Sequence, residues 1–438
     1  MQTINVNNTR GVWFLKLGFA ACSLPYCVAA WALGASYGSG STFYSLFFHF
    51  CAAILFLLTL YSFFIGTGWP PKRGQSRRPF NRYLEPLWSK FGGLLIGYWV
   101  LLTLSFLFLL KWPALDSWDF LDFWGPYARS GLVGDAEVSG IGGRHPLATS
   151  WSFVGFYQMF GHGRAALLGY MLSGLSLIFC WLGIAISYSR SLLLALALVL
   201  VPVSIPLFSE HLLRPGYTAI WLGAALACAL GSYFLFLLQR KGFWLAYSVC
   251  FLVLAALTRN TGFVYSLAVA LTLLTHLGCR RLSRRWFRYI VLSGICCWLS
   301  FIAFLHLLSL GGASAEVISF SLGGRVLVFK ISNAPLSIPI LNHALLINQT
   351  FSVSFLVLCL SGYELFRNGL DDFQEVSFGA VAFLVTILWL SLLSDYGRIY
   401  ARPVSDTGFS RFMLPITCLL WLNAVALSSN LKRFLTGG

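Results

Sequence analysis

Residues 216–238 read GYTAIWLGAALACALGSYFLFLL, an uninterrupted apolar run without a charged side chain. An α-helix rises about 1.5 Å per residue, so about 20 apolar residues cross the roughly 30 Å hydrocarbon core of a bilayer. Similar runs recur along the 438-residue chain, which is 58% hydrophobic and only 10% charged. A mean hydropathy of +0.78 indicates a chain solvated by lipid, because a water-soluble protein of this length needs more charged surface.

These runs predict an all-α fold: one polytopic transmembrane domain over 1–438, with about 12–13 spans and short amphipathic helices in its exported loops. The predicted spans are 12–34, 43–66, 91–110, 164–187, 191–208, 216–238, 242–257, 261–277, 289–310, 350–366, 375–393 and 412–429. A further apolar stretch, 147–160, is too short to span and is a candidate re-entrant or interfacial helix.

The basic residues predict the orientation of these spans. They cluster in 67–90 and 278–288, with smaller groups at 240–241 and 432–433. Threading the predicted spans puts all four groups on one side, which the positive-inside rule assigns to the cytoplasm. The exported loops are then 112–163, 208–215, 258–260, 311–349 and 394–411. The formal net charge of +16 is therefore a topology signal, and a nucleic-acid partner is not expected.

The first exported loop, 112–163, carries an acidic cluster. Asp116, Asp119 and Asp122 are spaced by three, which places them along one face of a helix. Like charges at this spacing repel, and a bound cation or a carboxylate that works as a base would account for them. Mg²⁺ or Mn²⁺ is the metal that such carboxylates would hold. The competing interpretation is a solvated acidic helix face.

Further polar residues occur near predicted span boundaries. His145 follows a glycine-rich turn and is a candidate acid, base or donor group. In loop 208–215, Glu210 and Arg214 either pair with each other or, with His211, face the first loop across a cavity.

Two arginines stand at the exported edges of spans. Arg259 lies in the three-residue loop 258–260, and Arg411 immediately precedes the last span. The planar guanidinium fork suits phosphate, so both are candidate ligands of a lipid phosphate, as is Arg214. Snorkelling to bulk headgroups is the competing interpretation.

Several enzyme signatures are absent from the sequence. It contains no P-loop, no GxGxxG after a strand, no HExxH and no zinc-like spacing of cysteine and histidine. These absences argue against an ATP-driven pump whose ATP-hydrolysing site lies in this chain. The eleven cysteines fall in or beside predicted spans, so no exported disulfide framework is expected.

The order of these parts resembles the GT-C superfamily of membrane glycosyltransferases. An acidic, aromatic exported segment, WDFLDFWGPYAR at 118–129, precedes the His-Pro step at 145–146. Pro-Gly-Tyr at 215–217, Arg-Asn-Thr-Gly at 259–262 and Ser-Arg at 410–411 follow in order. The WDxxxFW form looks like a group of bacterial members.

The resemblance implies a donor sugar on a polyprenyl phosphate, and an acceptor hydroxyl on an exported protein such as a pilin, a lipid or a glycan. Asp119 would be the general base, with Asp116 or Asp122 supporting it, and Arg259, Arg411 or Arg214 would hold the leaving phosphate. The transfer would invert the anomeric centre. Substrate contacts would come from His145, Glu210, His211, Tyr217, Trp124 and Tyr127.

The resemblance also implies the bacterial cytoplasmic (inner) membrane, with the active site facing the periplasm. Two other functions compete. An O-antigen ligase or polymerase would use a polyprenyl-diphosphate glycan and would depend on arginines in large exported loops. The first exported loop here is acidic instead. A transporter or lipid flippase would favour charges at mid-membrane and paired repeats, and neither is visible in the sequence.

Overall fold

The computed structural model describes residues 9–37, 43–65, 147–161, 168–189, 192–203, 218–282, 284–310, 316–322, 325–330, 349–367, 370–393 and 409–435. Most of them are helical. The helices are α1 Thr9–Tyr37, α2 Phe43–Ile65, α3 Leu147–Phe160, α4 Leu168–Ser189, α5 Leu192–Val203, α6 Thr218–Gln239, α7 Gly242–Ala256, α8 Asn260–Leu282, α9 Arg284–Leu310, α10 Gln349–Arg367, α11 Asp372–Leu393 and α12 Phe409–Leu435.

The helices confirm a multi-pass helical membrane protein. Among the described residues, α1, α2, α4, α6 and α8 are each long and apolar enough to cross a membrane. Shorter apolar segments lie in α7, α9, α10 and α12. Every predicted span except 91–110 coincides with a helix, and 91–110 lies outside the described residues. The short stretch predicted as a re-entrant or interfacial helix is α3.

A β-hairpin adds to the all-α fold that the sequence predicted. Strand β1, Glu316–Leu322, pairs antiparallel with β2, Arg325–Lys330, inside the predicted exported loop 311–349. The register runs from Leu322 opposite Arg325 to Glu316 opposite Lys330, with an irregularity between Glu316 and Ile318. Both strands are rich in β-branched and aromatic residues, and two glycines separate them in the sequence, which is a recognised hairpin pattern.

Helix α6 is the centre of the bundle. Nineteen of its 22 residues are buried, so it has almost no face toward lipid. Trp181 of α4 and Trp221 of α6 are among the largest fully buried side chains. The indole nitrogen of Trp181 donates a 3.0 Å hydrogen bond to the Cys418 carbonyl of α12, which fixes α12 against α4.

Helices α1 and α4 approach each other through glycines. A Cβ built on Gly183 would lie 2.7 Å from Leu15 Cγ and 2.9 Å from the backbone oxygen of Gly11. A Cβ on Gly18 would lie 3.0 Å from both Cys180 Sγ and the Ser176 carbonyl. Small residues let membrane helices pack backbone against backbone, where van der Waals contact rather than the hydrophobic effect drives association.

One end of the bundle, here called the Asp371 end, is tied by polar groups. Tyr188 of α4 donates to Asp371, Arg280 of α8 pairs with Asp372, and Arg288 of α9 pairs with Glu375 of α11. Near them, the hydroxyl of Tyr233 in α6 lies 2.6 Å from Nδ1 of His276 in α8. The ends of α4, α6 and α8 therefore meet the beginnings of α9 and α11.

The opposite end is here called the Arg259 end. There the beginnings of α4 and α6 meet, with the Tyr170 and Trp221 rings 5.5 Å apart. The beginning of α12 joins them, because a Cβ on Gly223 would lie 3.4 Å from Cα of Pro415. Helices α4, α6, α8 and α12 therefore begin at the Arg259 end, whereas α9 and α11 begin at the Asp371 end.

Candidate functional site at the Arg259 end

A tight turn presents Arg259. Helix α7 ends at Ala256 and α8 begins at Asn260, so three residues reverse the chain. The backbone nitrogens of Leu257 and Thr258 remain bonded to carbonyls of the last turn of α7, at 3.1–3.2 Å. The carbonyl of Arg259 accepts a 2.8 Å hydrogen bond from the nitrogen of Gly262, which closes the first turn of α8. Arg259 is therefore half-buried on a short, hydrogen-bonded connection.

Gly262 permits this turn. A Cβ there would collide with the Ala255 carbonyl of α7 and lie 3.3 Å from Leu222 Cδ1 of α6. The glycine of the Arg-Asn-Thr-Gly sequence is thus needed for packing, because the first turn of α8 lies directly against the backbone of α7. Any larger residue has to push the two helices apart and move Arg259 with them.

Three buried hydroxyl groups, here called the Thr258 junction, lie directly behind Arg259. The Tyr26 hydroxyl of α1 is 2.6 Å from Thr258 Oγ1, and Thr149 of α3 donates a 3.5 Å hydrogen bond to the Thr258 carbonyl. Thr258 Oγ1 also donates to the Leu254 carbonyl at 2.9 Å. All three residues are fully buried. The junction joins α1 and α3 to the turn that carries Arg259.

Aromatic rings extend the junction toward α4 and α6. The ring of Tyr26 packs edge-on to Trp221 at 5.5 Å, and Phe153 of α3 stacks on Tyr170 at 4.9 Å. Ser152 adds a buried hydroxyl oxygen that has no hydrogen-bond partner within the described part of the chain. The base of α3 is therefore clamped between α1 and α4.

The beginnings of several helices converge on this end. Helices α3, α4, α6, α8 and α12 all start here, as the contacts of Thr149, Tyr170, Trp221, Gly262 and Pro415 show. Each helix start carries a partial positive charge and unsatisfied backbone N–H groups. With Arg259 among them, this end of the bundle favours an anion.

Below Arg259, α8 presents an apolar stripe to the outside of the bundle. Phe263, Leu267, Leu271 and Leu274 follow at intervals of four, four and three residues, and each is strongly exposed. This is the spacing of one helix face. A lipid chain lying against that face would have its head near the turn at Arg259.

Most of the predicted site residues fall outside the described residues. These are Asp116, Asp119, Asp122, Trp124, Tyr127, His145, Glu210, His211, Arg214 and Tyr217. Arg411 is the third residue of α12, and only its backbone is described. In the sequence, His145 stands two residues before α3, and Tyr217 and Arg259 directly precede α6 and α8. The described residues contain no group of three or more histidine, cysteine or acidic side chains arranged to hold a metal ion.

Sequence reasoning missed the residues that hold the turn. Tyr26, Thr149 and Thr258 lie in apolar or short segments that hydropathy treats as ordinary span or loop. A polar residue inside a span is a signal, because it requires a partner in a medium without water. The partner of Tyr26 is 232 positions away, so the sequence alone does not name it.

No family model, no curated protein and no solved structure matches this chain.

Proposed function

We propose that the chain is a membrane glycosyltransferase of GT-C type that moves a sugar from a polyprenyl phosphate to an acceptor hydroxyl. The reaction takes place at the Arg259 end, which faces the periplasm of a bacterial inner membrane. The observation that carries the proposal is the half-buried Arg259 on a tight turn among converging helix starts. The resemblance of the acidic loop to GT-C enzymes supplies the reaction class.

The phosphate part of the donor accounts for the polar features of this end. A phosphate near the turn would pair with the guanidinium of Arg259 and interact favourably with the positive end of the α8 dipole. The start of α12, which carries Arg411 in its first turn, packs on α6 at the same end. Two of the three arginines that the sequence nominated thus stand at helix starts at one end of the bundle: Arg259 directly before α8, and Arg411 in the first turn of α12.

The lipid part of the donor accounts for the apolar stripe of α8. From Phe263 to Leu274 the stripe covers 11 helical steps, about 16 Å at 1.5 Å per residue. This length corresponds to about half of a bilayer's hydrocarbon core. A prenyl chain that enters the bilayer from a phosphate at Arg259 would therefore remain against α8.

The proposed step is a single displacement. Asp119 accepts the proton of the acceptor hydroxyl, whose oxygen forms the new bond to the anomeric carbon. The bond from that carbon to the phosphate oxygen breaks, and the polyprenyl phosphate leaves with the electron pair. Arg259 stabilises the charge that grows on the leaving phosphate, and general-base help contributes roughly 10²–10⁴-fold in rate.

The orientation has its own test. A single cysteine introduced within 130–140 is expected to react with an impermeant thiol reagent from outside intact cells. A cysteine within 74–80 is expected to be protected. Labelling of 74–80 with protection of 130–140 would place the acidic loop in the cytoplasm and remove the proposed reaction from the periplasm.

Transfer in native membranes tests the function. Membranes with wild-type protein or Asp119→Asn supply their own acceptors and receive polyprenyl phosphate loaded with a labelled sugar, across a panel of sugars. Wild-type membranes are expected to label a protein, lipid or glycan, and the variant, at equal protein level, is expected not to. Label transfer from a polyprenyl-diphosphate glycan instead would indicate a ligase or polymerase. Movement of intact lipid without transfer would indicate a flippase.

A further inference from the structure

We infer that Tyr26 is a positioning residue for Arg259, an inference that rests on the proposed function of that arginine in binding a lipid phosphate. Tyr26 lies on α1, far from the acidic loop in the sequence. Its hydroxyl reaches Thr258, the residue next to Arg259. Tyr26 does not touch the substrate in this account. It acts by fixing the turn from which the guanidinium projects.

The hydrogen atoms of the Thr258 junction can be assigned. Thr258 has one hydroxyl hydrogen, and it is donated to the Leu254 carbonyl at 2.9 Å, the usual back-bond to the preceding turn. The Tyr26 hydroxyl must therefore be the donor in its 2.6 Å contact with Thr258 Oγ1. The Tyr26 hydrogen bond thus anchors the end of α7 to α1.

The same threonine holds α3. Thr149, in the first turn of α3, donates to the Thr258 carbonyl at 3.5 Å. His145 stands four residues before Thr149 in the sequence. A displacement of Thr258 would therefore change the position of Arg259 relative to the start of α3.

Because the Tyr26 hydrogen bond is buried, its loss is not compensated by water. Tyr26, Thr149 and Thr258 are all fully buried, so water does not replace a lost partner easily. The ring of Tyr26 is held separately, by its 5.5 Å edge contact with Trp221. Tyr26→Phe therefore removes the hydroxyl and keeps the packing.

Tyr247 provides a matched control. Its hydroxyl lies 2.7 Å from Thr59 Oγ1, and Thr59 donates its own hydrogen to the Leu55 carbonyl at 2.7 Å. Tyr247 is fully buried and packs its ring on Phe251 at 4.8 Å. Tyr247→Phe thus removes the same kind of bond at a place that does not touch the Arg259 turn.

The first experiment measures binding of a long-chain polyprenyl monophosphate to the full-length protein in lipid nanodiscs. Tyr26→Phe is expected to weaken binding by up to about fivefold, because the loss of one net hydrogen bond limits how far the turn can shift away from its binding-competent position. Tyr247→Phe is expected to leave binding unchanged at a similar melting temperature. In an Arg259→Ala background, Tyr26→Phe is expected to add nothing, because it acts through that arginine.

The second experiment follows the position of Arg259 without any ligand. Phenylglyoxal modifies arginine side chains, and the peptide that contains Arg259 reports its rate by mass spectrometry. Tyr26→Phe is expected to change this rate severalfold, and Tyr247→Phe is expected to leave it unchanged. A general loosening of the fold would change both variants alike.

The two experiments separate failure of the inference from failure of the proposed function. The phosphate site would be overturned if the wild type did not bind polyprenyl phosphate, or if Arg259→Ala had no effect on binding. In either case the rate of phenylglyoxal modification would still test whether Tyr26 positions Arg259. Equal effects of Tyr26→Phe and Tyr247→Phe in both experiments would overturn the inference. Additivity of Tyr26→Phe with Arg259→Ala would also overturn it, because the tyrosine would then act elsewhere.

Discussion

The hydroxyl of Tyr188 donates a 2.8 Å hydrogen bond to Oδ2 of Asp371, which joins the end of α4 to the start of α11. The other carboxylate oxygen, Oδ1, accepts from the backbone nitrogens of Phe373 and Gln374, both at 2.9 Å. The Gln374 side chain in turn accepts from the backbone nitrogen of Asp371 at 3.1 Å. Asp371 and Gln374 therefore form a capping box for α11, and Tyr188 ties that box to α4.

Replacing Asp371 by alanine is expected to destabilise the protein by about 1–2 kcal/mol, because α11 loses its N-cap and Tyr188 loses its acceptor. Asp371→Asn is expected to retain most of the stability, since the amide oxygen still accepts from the two backbone nitrogens. The measurement is the melting temperature in detergent for the three proteins. Equal losses in both variants would show that the charge matters more than the cap.

The same residue predicts a pH dependence. Burial raises the pKa of Asp371 above 3.8, against the opposing effect of its hydrogen bonds. A raised folded pKa means that this group's contribution to stability is full below the unfolded pKa and is lost as pH rises through the folded pKa. Relative to Asp371→Asn, the wild type is therefore expected to lose stability as pH is raised from below 4. A parallel pH profile for the two proteins would contradict this.

The two ion pairs of the Asp371 end are expected to differ in strength. Glu375 is 1% exposed and receives Nη2 and Nε of Arg288 at 2.7 and 3.2 Å, whereas Arg280 and Asp372 are both partly exposed. Arg288→Ala leaves a buried carboxylate without this cation and is expected to cost roughly 2 kcal/mol or more. Arg280→Ala is expected to cost under about 1 kcal/mol. Thermal unfolding of both variants checks the order, and a larger loss for Arg280→Ala would contradict it.

The glycine contact between α1 and α4 predicts a steric effect. In Gly183→Ala the new Cβ meets the backbone of Gly11 and Leu15 within 3 Å, and overpacking of this kind costs about 1–3 kcal/mol. Gly294→Ala in α9 is the control, because nothing lies within 4 Å of a Cβ there and alanine is the better helix former. Melting temperatures should fall only for Gly183→Ala. A similar change in both would point to helix propensity and not to packing.

The tight turn at Arg259 predicts that a methyl group added at Gly262 weakens lipid binding. Gly262→Ala is expected to weaken binding of a polyprenyl monophosphate nearly as much as Arg259→Ala, because the Cβ collides with the Ala255 carbonyl and moves the turn. Gly278→Ala lies in the same helix with nothing within 4 Å of its Cβ, and it should bind like the wild type. Binding in nanodiscs measures all three. Normal affinity in Gly262→Ala would show that the turn tolerates the shift.

The sequence predicts the helices well and the contacts between them poorly. Runs such as 216–238 cross a bilayer by length and composition alone, and the structure has α6 there. The hairpin of β1 and β2 was missed because the prediction relied on hydropathy, which does not register the hairpin pattern of two strand-like runs around a glycine pair. The bond from Tyr26 to Thr258 was missed because it depends on how α1 and α7 pack, which no local pattern encodes. The proposed roles of Asp119 and His145 remain predictions from the sequence.

Native mass spectrometry of the protein, released from its own membranes in nanodiscs, tests the central claim most directly. The account predicts a bound polyprenyl monophosphate, with or without one sugar, that is lost in Arg259→Ala and kept in the α9 control Gly294→Ala. A polyprenyl diphosphate glycan in its place would contradict the proposed donor. Retention of the same lipid in Arg259→Ala would contradict the assignment of its phosphate to the Arg259 end.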